Sequence, residues 1–280
     1  MADPIVSQLT QFLAYRQARV SRLSHSNRKA LLVAFVRETG IRNLDEVDFP
    51  LLQAWVERKQ MTVRLVTLHS YASWLSVFFN WGIKSGFLNE NPVHQLDLPK
   101  AHKAFRTRFL SKEIVQRLLA SCDDLELQYC LYCGFHAGLR FAEVVMSQPH
   151  WFDLRCGVLH VTQSETWYTK DKQDRTIPLT EAFAKFLAGY RFQYPYMIGP
   201  HKQTGKIYRY TFRRRFKRYV KDQSVTMTFH DCRRTFASLH VQSGTSIYKV
   251  AKWLGDGLAV TERHYGHLVL ADPEINRAFV

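Results

Sequence analysis

The chain has 280 residues, and 46% of them are hydrophobic, which is enough to bury the core of one large domain or two ordinary ones. Its formal net charge is +15, with most of the excess in residues 101–280. An excess of this size indicates a polyanionic partner, most often nucleic acid. Residues 1–4 do not begin a signal peptide, and no apolar run approaches the roughly 20 residues of a membrane span, so we expect no membrane partner.

The five cysteines, an odd number, show no disulfide framework, so we expect a reducing, cytoplasmic location. Cys130 and Cys133 form a single C-x-x-C spacing inside an apolar run, 127–135. Without a second pair, this spacing favours buried thiols over a zinc site.

The first hundred residues predict a small bundle of four or five helices. Apolar residues recur at helical spacing over 5–19, over 26–38, from Phe49-Pro50 onward and over 67–85. Asp48 is the expected N-cap of the third helix, and Gly86 ends the fourth. Four aromatic side chains favour a core rather than a base-stacking platform: Trp74, Phe78, Phe79 and Trp81.

A basic stretch without apolar periodicity follows the bundle. We expect an extended linker over 99–109 whose charge follows a DNA backbone, with Arg106 and Arg108 as phosphate contacts. The predicted domains are therefore 1–98 and 110–280.

The second domain predicts helices interrupted by a small antiparallel sheet. Ser111 is the expected cap of its first helix, and the helix with the two cysteines runs towards Gly138. Strands are predicted over 157–161 and 175–179, with Lys170 near the tip of the hairpin that joins them. The whole chain is thus predicted to be mainly α with a small antiparallel β-sheet.

Residues 207–221 are densely basic, with aromatic side chains interleaved. We expect one face of this helix to pack and the other to meet phosphates. The candidate DNA-binding residues are Arg213, Arg214, Arg215, Lys217 and Arg218.

His230 and Arg233 lie three residues apart and share a helix face. A His and an Arg presented together suit a phosphate whose charge grows during a reaction. This pair predicts an enzyme that acts on a phosphodiester.

Five motifs in chain order resemble the tyrosine recombinase (phage integrase) family. They are Ala137-Gly138-Leu139-Arg140 with Glu143, Lys170 before Arg175-x-x-Pro178, His230-x-x-Arg233, Leu254-Gly255 and Tyr265. The resemblance covers both domains: 1–98 is similar to the helical core DNA-binding domain of the family, and 110–280 to its α+β catalytic domain with a C-terminal tail. Because the chain starts almost at the core-binding helices, the two-domain layout of Xer-type recombinases is expected.

The resemblance implies that Tyr265 attacks the scissile phosphate, which leaves a 3′-phosphotyrosine and a free 5′-hydroxyl without ATP. It implies that Arg140 and Arg233 hold the non-bridging oxygens. Lys170 would protonate the leaving oxygen, and His230 would assist proton transfer at the tyrosine or bind the phosphate. Two arginines and a lysine neutralise the phosphate, so we expect no metal and no other cofactor.

Two neighbours of these residues have related roles. Glu143 is expected to orient an active-site arginine. Lys172 lies two residues from Lys170, and a register slip in the hairpin would exchange them.

Asp256 departs from the family pattern, which places His or sometimes Trp after Leu254-Gly255. An ionised Asp cannot donate a hydrogen bond to a phosphate. Either Asp256 orients His230 or an arginine, or His264 or His267 donates instead.

The leading hypothesis is a site-specific recombinase that acts on double-stranded DNA as a tetramer in the nucleoid, with accessory DNA-bending proteins as an open partner class. Residues 268–280 are expected to dock on a neighbouring subunit. The alternatives are a type IB topoisomerase-like relaxing enzyme and a DNA-binding regulator without catalysis, for which Asp256 is the support.

Overall fold

The computed structural model describes residues 4–17, 22–100, 108–163, 167, 169, 173–192, 195–199 and 209–269. The chain divides into two compact units, residues 1–103 and 104–280. The division falls inside the range predicted as a linker, 99–109. None of the helices in the described ranges has both the length and the apolar character that a bilayer span requires.

The first unit is helical, as predicted. Its α-helices are α1 (Pro4–Gln17), α2 (Arg22–Thr39), α3 (Phe49–Gln60) and α4 (Leu65–Lys84). Two short 3-10 helices, Leu44–Glu46 and Pro92–Gln95, follow α2 and α4. The predicted cap of α3 is present, since the Asp48 side chain accepts a hydrogen bond from the Leu51 N–H at 2.9 Å. Gly86 takes a left-handed conformation (φ 74°) just after α4.

Aromatic side chains form much of the core of this unit. Phe78 and Phe79 are fully buried, and Trp74 and Trp81 pack against the same cluster. The prediction that these four rings are core residues is therefore confirmed.

The second unit combines helices with a small sheet. Its elements are α5 (Lys112–Ala120), α6 (Leu125–Ala137), α7 (Phe141–Met146), β1 (Phe152–Asp153), β2 (Val158–Val161), β3 (Arg175–Pro178), α8 (Glu181–Gly189), α9 (Arg209–Asp222), α10 (Phe229–Gln242), α11 (Ile247–Leu254) and α12 (Leu258–Tyr265). The strands are antiparallel in the order β1-β2-β3, and Leu159 pairs with Ile177. The predicted hairpin and fold class are confirmed, and the two-residue strand β1 adds to them.

Helices α6 and α10 form the centre of this unit. They approach so closely at Gly134 that a Cβ there would lie 2.6 Å from the Cβ of Cys232. Cys130 and Cys133 are fully buried on α6, and burial raises the pKa of both thiols. Their predicted role as buried thiols is confirmed.

Candidate active site

The turn after α6 positions Arg140. Gly138 ends the helix in a left-handed conformation (φ 61°), which lets the chain reverse into α7. Arg140 is the N-cap of α7, and its N–H donates to Glu143 Oε2 at 2.8 Å. The side chain donates to the same carboxylate, from Nη1 to Oε1 at 3.2 Å. The start of α7 therefore fixes both the backbone and the guanidinium of Arg140.

Helix α10 presents Arg233 to the interior. A capping box starts the helix, in which the Thr228 N–H donates to Asp231 Oδ2 at 2.7 Å. Arg233 lies two residues after Asp231 and is only 2% exposed. Its Nη1 donates to the Gly138 carbonyl at 2.7 Å and its Nη2 to the Leu254 carbonyl at 2.8 Å. These bonds place the second guanidinium beside the turn that carries the first.

Asp256 joins the two arginines. Its Oδ1 accepts from Arg140 Nη2 at 2.6 Å, and its Oδ2 accepts from Arg233 Nη2 at 2.7 Å. Burial by itself would raise the pKa of Asp256, but the charges and hydrogen bonds of the two arginines outweigh it and lower that pKa. Of the alternatives open for this residue, direct contact with the arginines is the one that the geometry matches.

The C-terminal end of α11 collects three guanidinium groups. The carbonyl of Trp253 accepts from Arg175 Nε at 2.9 Å, and the carbonyl of Gly255 accepts from Arg140 Nη2 at 3.0 Å. The third is the bond from Arg233 to Leu254 described above. These carbonyls have no partner within the helix and lie at the negative end of its dipole, so they attract cations.

Arg175, the first residue of β3, is a site residue that the sequence reasoning missed. Its Nη1 and Nη2 donate to the two oxygens of Glu143 at 3.0 and 2.6 Å. Glu143 is 1% exposed and therefore orients both Arg140 and Arg175. Burial by itself raises the pKa of Glu143. The charge of Arg175 and the hydrogen bonds lower that pKa by more, so the carboxylate stays ionised. The one indication of this role in the sequence was the position of Arg175 in the family motif that follows Lys170.

Tyr265 is the last residue of α12 and is 6% exposed. Its ring packs in a cluster with Phe236 and Leu254. Burial raises the pKa of the phenol, the charge of Arg233 opposes that shift, and the charge of Asp256 adds to it. The ring thus shares a cluster with Leu254, whose carbonyl binds Arg233.

His230 lies in the first turn of α10, where it is exposed at the surface. It lines a cavity of about 530 Å³ together with Arg140. Removal of part of the ring from water lowers the pKa of His230, and the charges of Arg234 and Arg233 lower it further. This shift favours the neutral imidazole, which is the form that can accept a proton.

Several predicted residues lie outside the described ranges. These are Lys170, Lys172 and Arg106, together with the tail residues 270–280.

Helix α9 separates an apolar face from a basic one. Phe212, Phe216 and Val220 are buried. The exposed basic side chains of α9 include Arg213, Arg214, Lys217, Arg218 and Lys221, and Arg108 is exposed before α5.

Arg215 differs from its basic neighbours on α9. Its guanidinium is paired with Asp124 and, from Nη1 at 2.8 Å, with Glu126. These carboxylates raise the pKa of Arg215 against the opposing effect of burial. Because two carboxylates pair with its charge, Arg215 joins α9 to the start of α6, and its predicted contact with a DNA phosphate stays a prediction.

Residues 108–269, which include every described site residue, match the sequence model of the Phage integrase family. The chain belongs to the phage integrase family. This match confirms the predicted tyrosine recombinase membership, and with it an enzyme of the site-specific recombinase class.

Curated relatives extend the similarity to both units of this integrase-family chain. Tyrosine recombinase XerD of Pseudomonas aeruginosa is 26% identical, over 95% of this chain and 85% of the relative. Tyrosine recombinase XerD of Lacticaseibacillus casei is 22% identical, over 90% and 88%.

Solved structures share the fold. The Tn1549 transposon integrase in complex with transposon right end DNA matches with a TM-score of 0.73 and 17% identity, over 97% of this chain and 96% of that one. A lambda integrase dimer bound to a COC′ core site matches with a TM-score of 0.73 and 16% identity, over 92% and 94%.

Proposed function

We propose that this integrase-family protein cuts and rejoins duplex DNA at specific sites through a 3′-phosphotyrosine intermediate, with no need for metal or ATP. The supporting observation is the convergence of Arg140 and Arg233 on the two oxygens of one carboxylate, with Tyr265 in the same apolar cluster as Leu254, whose carbonyl binds Arg233. Two guanidinium groups at one point form a receptor for an anion with two available oxygens. A DNA phosphodiester presents such a pair of oxygens.

In the proposed step, Tyr265 Oη forms a bond to phosphorus while the bond from phosphorus to the 5′-oxygen breaks. The phenol carries its proton at neutral pH, and burial raises its pKa, so the proposed step includes transfer of that proton to a base. His230, whose lowered pKa favours the neutral imidazole, is proposed to accept that proton. Lys170 is proposed to donate a proton to the 5′-oxygen. Attack by a 5′-hydroxyl on the phosphotyrosine reverses the step and rejoins the strand.

Charge on the protein surface supports the proposed DNA interface. The exposed side chains on α9 and before α5 can neutralise backbone phosphates. The proposed contacts are Arg106, Arg108, Arg213, Arg214, Lys217 and Arg218. Residues 1–98 are proposed as a core DNA-binding domain, 99–109 as a linker that follows the backbone, and 110–280 as the catalytic domain.

The proposed assembly is a tetramer on DNA. Residues 268–280 would dock on a neighbouring subunit, and their deletion would weaken assembly while DNA binding persists. The proposed setting is the cytoplasmic nucleoid, where the protein acts on a mobile element, with accessory DNA-bending proteins as a further partner class. A lambda integrase dimer on core-site DNA supports self-association by analogy.

The test is the capture of a covalent adduct. The protein is incubated with sheared genomic DNA of its source organism, denatured in detergent, and the DNA attached to protein is sequenced. Adducts concentrated at a few sites are expected from the native protein, and none from Tyr265→Phe, which should still bind DNA. Absence of adducts from the native protein, or equal yields from both proteins, would overturn the proposal. Relaxation of a supercoiled plasmid without strand exchange would support the topoisomerase alternative.

A further inference from the structure

Both hydrogens of Arg140 Nη2 and both hydrogens of Arg233 Nη2 are already donated to acceptors of the protein. Each Nη2 carries two hydrogens. Arg140 Nη2 donates to the Gly255 carbonyl at 3.0 Å and to Asp256 Oδ1 at 2.6 Å. Arg233 Nη2 donates to the Leu254 carbonyl at 2.8 Å and to Asp256 Oδ2 at 2.7 Å. An incoming anion can use these nitrogens only if one of those acceptors leaves.

The acceptor able to leave is Asp256. The two carbonyls belong to the end of α11, where the backbone is held by the bond from the Asp256 N–H to the Ala251 carbonyl at 3.1 Å. The Asp256 side chain is 26% exposed. It also lines a cavity of about 440 Å³ with Tyr248 and Lys252, which leaves room for the carboxylate to rotate away.

We propose that the Asp256 carboxylate occupies the phosphate position between Arg140 and Arg233, and that a phosphate of DNA enters this position by displacing it. The inference rests on the proposed function of the two arginines as phosphate ligands. A carboxylate with one oxygen on each guanidinium imitates two non-bridging oxygens of a phosphodiester. The residue is therefore a competitor of the substrate, in addition to orienting the arginines when DNA is absent.

The arginines keep their positions after such an exchange. Arg140 retains the Gly255 carbonyl and Glu143, and Arg233 retains the carbonyls of Gly138 and Leu254. The hydrogen of each Nη2 that Asp256 accepted then points to the phosphate. The exchange is anion for anion, because the arginines keep Asp256 ionised at neutral pH.

The exchange selects between phosphates. An isolated phosphate must compete with a carboxylate that is tethered in place and thus present at a high effective concentration. A phosphodiester of DNA that is bound elsewhere on the protein is also held at a high effective concentration, so it can displace the carboxylate. Free phosphate is therefore a poor ligand of the native protein, and a correctly docked DNA is a good one.

The test measures binding of inorganic phosphate to the full chain without DNA. Asp256→Asn removes the charge but preserves the shape. The matched control is Asp124→Asn, which also weakens an aspartate–arginine pair, with Arg215, while an Asn can still cap α6. Phosphate is titrated at constant ionic strength and followed by calorimetry and by the melting temperature.

We expect Asp256→Asn to bind phosphate about tenfold more tightly than the native protein or more. Asp124→Asn should bind like the native protein, and Arg140→Ala added to Asp256→Asn should remove the gain. If Asp256→Asn does not fold, Asp256→Ser is measured in the same way. Equal phosphate affinity in the native protein and a folded Asp256 variant would overturn the inference.

The outcome is separable from that of the proposed function. A gain in phosphate affinity without a covalent DNA adduct from any variant would support the displaced carboxylate and contradict the recombinase chemistry. Adduct formation by the native protein, with no gain in phosphate affinity in the variants, would contradict the displacement alone.

Discussion

The Glu143 carboxylate accepts hydrogen bonds from both terminal nitrogens of Arg175, at 3.0 and 2.6 Å. These two bonds join β3 to α7, and the same carboxylate also accepts a hydrogen bond from Arg140. The hairpin strand, the glycine turn and the end of α11 are thereby connected through buried, charge-assisted hydrogen bonds. The position of the proposed phosphate site depends on this connection.

Glu143→Gln should destabilise the fold by about 3–5 kcal/mol, because it leaves the Arg175 charge buried without its partner. The measurement is urea unfolding of the full chain at pH 7. The control is Glu181→Gln, an exposed residue in the first turn of α8, for which a loss below about 1 kcal/mol is expected. Similar losses in the two variants would contradict a structural role of the Glu143–Arg175 pair.

Acid should remove part of the native stability through Glu143. Its pKa is lower in the folded protein than the ordinary value of 4.5. As the pH falls below 4.5, the unfolded chain binds a proton at this side chain before the folded protein does, so stability is lost until the pH passes the folded pKa. Stability curves from pH 6 to 3 should therefore fall less steeply for Glu143→Gln than for the native protein. Parallel curves would refute this linkage.

Arg175→Lys should slow formation of the covalent DNA adduct on the order of 100-fold, because an ammonium group cannot bridge Glu143 and the Trp253 carbonyl as a guanidinium does. The dissociation constant for DNA should stay nearly unchanged. Single-turnover cleavage of a nicked substrate measures the rate. Arg155→Lys, at an exposed position in the turn between β1 and β2, is the control. A normal rate in Arg175→Lys would mean that the residue only stabilises the fold.

Gly138→Ala should cost more stability than Gly157→Ala. Both glycines have positive φ, 61° and 67°, so each alanine is strained by about 1–2 kcal/mol. A Cβ at Gly138 would also lie 2.6 Å from Phe236 Cδ1, whereas one at Gly157 meets nothing within 4 Å. Overpacking adds about 1–3 kcal/mol at the first position. Thermal and urea unfolding of the two variants checks the difference, and equal losses would contradict it.

Arg214→Ala and Arg215→Ala should separate DNA binding from stability. Arg214 is exposed, so its loss should weaken binding to duplex DNA and reduce the slope of log affinity against log salt by about 1. Arg215 is paired with Asp124 and Glu126, so its loss should lower the melting temperature and leave the salt slope unchanged. The measurements are affinity titrations at several salt concentrations and thermal unfolding. A reduced salt slope in Arg215→Ala and an unchanged slope in Arg214→Ala would contradict the proposed roles.

Helix boundaries and caps could be predicted because they depend on neighbours in the sequence. The bonds that confirm Asp48 and Ser111 as caps reach only three residues along the chain. The two strands were also predicted from their residue types, but their register was left open, and the structure pairs Leu159 with Ile177. The caps are local, and the residue types alone indicate them.

By itself, the sequence indicated the family and the mixed fold class, and it predicted the two-domain order and the residue types of the proposed phosphate site, because motifs and their order are read without coordinates. The tertiary structure decided the partners: Arg175 at Glu143, Asp256 between two arginines, and Arg215 bound to the start of α6. Each of these contacts joins residues more than 20 positions apart. No periodicity predicts such contacts, because they arise when separate elements pack and bring unlike charges out of water together.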